Sequence, residues 1–219
     1  KIAVGVSGGK DSLVLLAGLA RMRRFAEFDY DITAVTIDPG FNGVPNNYDA
    51  VARLCEKLDV PFSLVHTQIG EIVFDIRKEP NPCSLCANMR RGALHDAAKA
   101  AGCNKLALGH NNDDVIETFI MNLFNEGRIG CFSPKTHLDR KDITVIRPLV
   151  LAPESQVLSA CNRNGFEIVK SVCPADKTTT RQKTKEFLRD MEHKDKGFKL
   201  RMFTALRKSG VDGWGYPDK

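Results

Sequence analysis

The first dozen residues constrain this chain more than any others. Ile2 to Val6 is a short, wholly apolar run, as expected for a parallel strand covered on both faces. It passes through Ser7-Gly8-Gly9-Lys10-Asp11-Ser12 straight into Ser12 to Phe25, where Leu13, Leu15, Leu16 and Leu19 fall at helical spacing. Two glycines permit a tight turn with positive φ. The amides from Gly8 to Ser12 can then converge on one anion at the positive end of the helix dipole. Lys10 adds a point charge, and Ser7 and Ser12 add hydroxyl donors. An ordinary capping turn needs one serine, not this whole string. The string is not a Walker A loop, because Asp follows the lysine, and no third glycine completes Gly-x-Gly-x-x-Gly. A carboxylate inside a phosphate loop repels the phosphate unless a cation intervenes. Asp11 therefore implies Mg²⁺ or a specific hydrogen-bonding role.

The rest of the chain alternates. Strands are expected at Ile32–Ile37, Phe62–His66, around Leu106–Leu108 and over 143–150, the last broken by Pro148. Helices are expected at Tyr48–Leu58, Asn88–Ala101, Val115–Phe124 and Pro153–Asn164, with one or two polar helices over Thr178–Ser209. This pattern predicts an α/β fold, a doubly wound parallel sheet with helices on both faces. Ligands of such sheets bind beyond the carboxyl ends of the strands. The residues after strands one, two and four are therefore the ones to inspect.

After strand two stands Asp38, a nucleotide contact or merely the opening of the turn Pro39-Gly40. After strand four comes Gly109-His110-Asn111-Asn112-Asp113-Asp114, then Glu117-Thr118. Asp113 and Asp114 suit a helix N-terminus, and they also gather hard oxygen ligands for Mg²⁺ beside a phosphate. Ser-Gly-Gly-Lys-Asp-Ser after a first strand resembles the PP-loop of the ATP pyrophosphatase superfamily. That resemblance implies an adenine nucleotide alpha-hydrolase-like fold and chemistry at the α-phosphorus of ATP, with Ser7 to Ser12, Asp38, Gly109 and His110 at the nucleotide. Gly-His-x-x-Asp-Asp-x-x-Glu-Thr resembles the signature of tRNA-modifying PP-loop enzymes. It implies Lys10, Asp11 and Asp114 as catalytic residues, with Asp11 and Asp114 holding Mg²⁺.

Seven cysteines are too odd in number and too unevenly spaced for a secreted disulfide framework, so a reduced, cytoplasmic setting is expected. Cys83-x-x-Cys86 alone reads as a redox pair or half of a zinc site. A thioredoxin pair belongs at the first βα turn, which the phosphate loop occupies, and a zinc site wants a second close pair. Cys55, Cys103 and Cys161 fall singly in helical segments and read as buried apolar residues. Cys131 is undecided. Cys173, in Val-Cys-Pro, opens the basic tail. Three thiolates could hold a [4Fe–4S] cluster and leave one iron open.

The flanking residues resemble the tRNA 2-thiocytidine synthetase family. They are Pro82-Cys83-Ser84-Leu85-Cys86, then Arg90-Arg91-Gly92; the run from Leu108 to Thr118; Met121 to Phe124; Arg147-Pro148-Leu149; and Arg181-Gln182 with 185–190. This likeness spans about residues 1–205. It implies Cys83, Cys86 and Cys173 as cluster ligands and ATP-dependent thiolation of a tRNA pyrimidine. The implied partners are tRNA, ATP and a sulfur donor, either a cysteine desulfurase or free sulfide. Rival readings are a PP-loop ligase of the lysidine synthetase group, thiolation of a small pyrimidine or through a cysteine persulfide, and a zinc-stabilised ATP-binding module.

Two units are expected: a PP-loop ATP-binding domain over 1–169 that carries the Cys-x-x-Cys insertion, and a basic helical extension over 170–219 that supplies the third cysteine. All of the +5 net charge lies in the second. From Lys170 onward 13 basic residues face 7 acidic ones, against 19 and 20 before it. Such an excess suits phosphate-rich nucleic acid. Arg90, Arg91, Lys177, Arg181, Lys183, Lys185 and Arg189 are the candidate tRNA contacts. No apolar run approaches a membrane span, so no membrane partner is expected; a homodimer is allowed. The opening residues lack a signal-peptide layout, and Lys1 in place of Met suggests residues ahead of it.

Overall fold

The computed structural model describes residues 1–78, 81–170, 172–175 and 180–215. In chain order its main elements are β1 (Ile2–Gly5), α1 (Lys10–Met22), β2 (Ile32–Asp38), α2 (Asp49–Lys57), β3 (Phe62–His66) and α3 (Ile69–Glu71), which continues as a π-helical turn through Ile72–Arg77. Then come α4 (Pro82–Ala100), β4 (Lys105–Ala107), α5 (Asn112–Asn125), β5 (Lys135–Leu138), β6 (Ile143–Ile146), α6 (Glu154–Arg163), α7 (Thr180–Lys194) and α8 (Phe198–Ser209).

The six strands lie in the order β3-β2-β1-β4-β6-β5. All neighbours pair in parallel except β5 with β6. The expected doubly wound sheet is present, with an antiparallel edge strand added. Alternation along the strands divides the core in two. Ile2, Val4 and Val6 meet Leu13, Leu16 and Leu19 of α1 on one face. Ala3, Val35 and Ile37 meet Val73, Ala98 and the α4 side on the other. A third apolar cluster joins Val115, Ile116 and Ile120 of α5 to Leu188, Phe203, Leu206 and Trp214, so α7 and α8 pack on α5.

Strand order reverses between β1 and β4: β2 and β3 lie on one side of β1, and β4 and β6 on the other. The loops that follow β1 and β4 therefore diverge around one crevice, the place where a doubly wound sheet binds ligands.

The structure corrects several expected boundaries. The helix expected from Asn88 begins at Pro82, where Asn81 caps it through Ser84 N. Cys83 and Cys86 thus sit inside its first turn and a half rather than ahead of it. The helix expected from Val115 begins at Asn112, so Asp113 and Asp114 lie in its first turn. The stretch 143–150 pairs only as far as Ile146. The polar C-terminal stretch is two helices, α7 and α8, with Gly197 at φ 83° as the α8 N-cap. No helix among the described residues is long and apolar enough to cross a membrane.

Candidate active site

The phosphate loop folds as its glycines allow. Gly8 has φ 81°, and a Cβ there would fall 2.6 Å from the side chain of Val169. Val169 N donates to Gly8 O at 3.0 Å, so segment 166–170 lies against the loop. Ser12 Oγ donates to Gly9 O at 2.9 Å and lies 3.3 Å from Ser7 Oγ. Helix α1 has no side-chain cap. An anion in the loop would serve as its N-terminal acceptor.

Across the crevice, Gly109 lets the loop after β4 close on the start of α1. A Cβ there would lie 2.9 Å from Asp11 C and 3.0 Å from Ser12 N. Asn111 follows, 3% exposed, and does two jobs. Its carbonyl accepts from Asp114 N at 3.2 Å while Asp114 Oδ2 accepts from Asn111 N at 2.9 Å, a reciprocal cap on α5. Its amide donates to Asp11 Oδ1 at 2.9 Å. The two loops are thus joined through the carboxylate expected at Mg²⁺.

These residues line a cleft of about 280 Å³ with Lys10, Asp113, Glu117, Glu154, Arg181, Gln182 and Lys185. Five carboxylates against three cationic side chains leave the lining in negative excess, which a divalent cation would offset. Burial drives the Asp114 carboxyl above its ordinary range, with the Asp11 charge adding to it. Burial also pushes Glu117 up to about 7 against the pull of Arg181. Lys10 Nζ bridges Asp11 Oδ2 at 2.8 Å and Glu154 Oε1 at 3.0 Å. Burial alone would lower the Lys10 pKa, but those two partners outweigh it and the net shift is upward.

His110 packs on Phe132 with ring centroids 4.7 Å apart. Burial, then the charges of Arg147, Arg181 and Arg91, lowers its pKa to about 3, and among the described residues its buried Nδ1 has no hydrogen-bond partner. Asp38 is 1% exposed. Its oxygens accept from Gly40 N, Asn46 N and Asn46 Nδ2, and His66 Nδ1 lies 3.2 Å away. It therefore pins the loop after β2 from inside.

Burial raises the pKa of both Cys83 and Cys86 on the first turns of α4, and Cys173 raises both further, with Cys83 adding to the rise at Cys86 against the pull of Arg90. Cys173 also packs against the apolar cluster that contains Cys86. Three thiols from two distant segments thus form one neighbourhood. They do not close on a common point: among the described residues no group of three His, Cys, Asp or Glu is placed to hold a metal ion. A cubane needs its ligands farther apart than a single ion does, and soft thiolates are the donors that it takes. The donor set fits. Cys55, Cys103 and Cys161 are buried at 1%, 2% and 1% exposure, and Cys131, undecided from the sequence, is buried too.

The basic residues divide. Arg181 and Lys185 turn into the cleft: Lys185 Nζ lies 2.8 Å from Glu154 Oε1, and Arg181 NH2 donates to Thr118 Oγ1 at 3.1 Å. Lys183 and Arg189 are exposed on α7. Arg90 acts electrostatically on Cys86, and Arg91 on His110. Lys177 lies outside the described residues. Sequence reasoning missed Glu154 and the bridging role of Asn111. The same rule of inspecting residues beyond strand ends, applied to β6, points to Glu154.

The family model of the PP-loop domain matches residues 1–191. A tRNA-cytidine(32) 2-sulfurtransferase from Pelobacter propionicus is 40% identical over 209 residues, 94% of this chain and 77% of that one. The chain belongs to the PP-loop family, among the tRNA-cytidine 2-sulfurtransferases. A Neisseria gonorrhoeae tRNA-cytidine(32) 2-sulfurtransferase is 34% identical over 94% of this chain and 65% of its own. The U34-tRNA thiolase NcsA from Methanococcus maripaludis, solved with its [4Fe–4S] cluster, superposes with a TM-score of 0.77 at 28% identity, over 93% of this chain and 69% of that one.

Proposed function

We propose that this protein is an ATP-dependent tRNA sulfurtransferase that replaces the C2 oxygen of an anticodon-loop cytidine with sulfur. One observation carries the reading: a phosphate loop whose helix has no side-chain cap, and Cys83 and Cys86 within the electrostatic reach of Cys173, stand at the carboxyl end of the same sheet. Neither feature alone separates a thiolase from a PP-loop ligase. Together they supply both halves of a substitution, activation of an oxygen and delivery of sulfur.

A pyrimidine oxygen is a very poor leaving group. The C2 oxygen therefore attacks the α-phosphorus of ATP, the bond to pyrophosphate breaks, and the oxygen becomes part of an AMP leaving group. Lys10 and the amides of Gly8 to Ser12 stabilise the charge that develops on pyrophosphate. Asp11 and Asp114 would hold Mg²⁺, and Asn111 fixes the Asp11 carboxylate for that task. Sulfur then adds at C2 and the C2–O bond breaks, releasing AMP and leaving C2=S. Cys83, Cys86 and Cys173 would hold a [4Fe–4S] cluster, which would supply the sulfur nucleophile at a raised effective concentration near the base. The sulfur enters at the sulfide level, as free sulfide or as the persulfide sulfur of a cysteine desulfurase after two-electron reduction by a thiol reductant. His110, neutral and packed on Phe132, shapes the wall of the site rather than moving a proton. The exposed Lys183 and Arg189, with Arg90 and Arg91, meet tRNA phosphates, which position the substrate without reading its sequence. The relatives' name points to cytidine 32.

Metal analysis tests the reading. Protein purified without oxygen should be brown and carry iron with acid-labile sulfide. Zinc alone would favour a structural module; absence of any metal would favour a ligase or a persulfide route.

A further inference from the structure

Lys185 belongs by sequence to the basic tail, yet its half-exposed side chain reaches into the cleft. Its ammonium and that of Lys10 share a single acceptor, Glu154 Oε1, at 2.8 and 3.0 Å. Lys10 is the lysine of the phosphate loop. An oxygen held between it and a second ammonium therefore occupies the position where a phosphate oxygen would be neutralised best. Hydrogen bonds from Lys185 and Lys10 outweigh burial and keep Glu154 ionised.

The geometry points to Lys185 as a ligand of the pyrophosphate part of ATP, with Glu154 as the anion that holds its place until ATP enters. This rests on the reading of Gly8 to Ser12 as the ATP loop. Glu154 is built to yield. Its backbone is anchored, because Glu154 N donates to Asp113 Oδ2 at 2.7 Å, while its side chain is 25% exposed and can swing to solvent. A triphosphate brings several negative charges to the two ammonium groups where the carboxylate brings one. Arg181, four residues before Lys185 and so on the same helix face, supports the placement. It stands 3.7 Å from Asp114 Oδ1 and 3.6 Å from Glu117 Oε2, ion pairs too long for good hydrogen bonds. Helix α7 thus completes the ATP site.

Affinity for Mg·ATP, measured by calorimetry on the intact protein without tRNA, tests this. Lys10→Ala and Lys185→Ala should each weaken binding about tenfold, the effect of one charge-assisted hydrogen bond. Glu154→Gln should tighten binding severalfold, because a competing charge is gone. The Lys185→Ala loss should persist in the Glu154→Gln background, as a direct contact requires. Lys194→Ala removes the same charge from the exposed end of α7 and should leave ATP affinity unchanged. If Lys10→Ala weakens ATP binding while Lys185→Ala and Lys185→Gln do not, Lys185 is no ligand and the inference falls. If the Lys185 effect vanishes in the Glu154→Gln background, or Glu154→Gln fails to tighten binding, Glu154 is no placeholder and the inference falls. If Lys10→Ala binds ATP normally, the reading of the loop itself fails. Glu154→Gln also keeps the question answerable should the lysine variants misfold.

Discussion

Asn111 donates its amide to Asp11 Oδ1 at 2.9 Å, joining the loop after β4 to the phosphate loop after β1. The bond spans the point where strand order reverses, so one side chain sets the distance between the two halves of the crevice. Asn111→Ala removes this bond and the α5 cap together. It should cost about 1 kcal/mol in thermal unfolding and reduce pyrophosphate release steeply. Asn111→Asp keeps a capping oxygen but sets a second charge against Asp11. Buried against a like charge, it should destabilise more than Asn111→Ala does, and ATP turnover should be lost. Equal turnover in both proteins would mean that Asp11 needs no partner.

Gly109 offers a steric test of the same closeness. Ala at this position meets backbone, Asp11 C at 2.9 Å, which cannot rotate away. Gly109→Ala should destabilise by about 1–3 kcal/mol and lower ATP affinity, because it pushes the phosphate loop outward. A Cβ at Gly18, within α1, would meet nothing within 4 Å, so Gly18→Ala should stabilise by about 0.5–1 kcal/mol through helix propensity alone. Chemical denaturation of the two variants checks both signs.

His110 predicts a pH dependence. Its folded pKa is lowered to about 3, below the ordinary value of 6.5, chiefly by burial. Between those values the unfolded chain binds a proton that the folded protein refuses. The stability tied to neutral His110 is therefore fully present above about pH 6.5 and is lost as pH falls toward 3, at up to about 1.4 kcal/mol per pH unit. His110→Asn should show a shallower loss between pH 6.5 and 4. Imidazole resonances of His110 should not titrate from pH 5 to 8; a midpoint near 6.5 would contradict the burial.

The thiols divide into two sets. Cys83→Ala, Cys86→Ala and Cys173→Ala should each lose iron and thiolation while binding ATP normally. Cys55→Ala, Cys103→Ala and Cys161→Ala fill buried apolar positions and should keep iron, at a packing cost of about 1–2 kcal/mol. Iron analysis beside ATP titration separates the sets. Full iron in Cys173→Ala would remove the third ligand.

What could be read from the sequence was what short-range chemistry writes there. The apolar run Ile2 to Val6, the glycines behind it and the leucine spacing of α1 are local signals, and they placed the first strand, loop and helix within a few residues. β5 escaped because Lys-Thr-His-Leu is short and polar; as an edge strand against β6 it needs neither burial nor a strong pattern. The start of α4 was set too late because the two turns after Pro82 owe their helix to the Asn81 cap and to proline at its N-terminus rather than to periodicity. The direction of α7 was not legible at all. Arg181 and Lys185 share a face at a spacing of four, but a polar face reads alike whether it meets tRNA or a cleft of carboxylates. Only the packing of Leu188 beside α5 decides which.

The most direct measurement of the account is a single reaction. Cluster-loaded protein, prepared without oxygen, is incubated with unmodified tRNA, Mg·ATP and sulfide, and the tRNA is digested to nucleosides for mass spectrometry. 2-Thiocytidine should form with AMP and pyrophosphate in equal amounts, and none should form when ATP is omitted. Thiolation without ATP, or ATP consumption that leaves every nucleoside unthiolated, would contradict the proposed reaction.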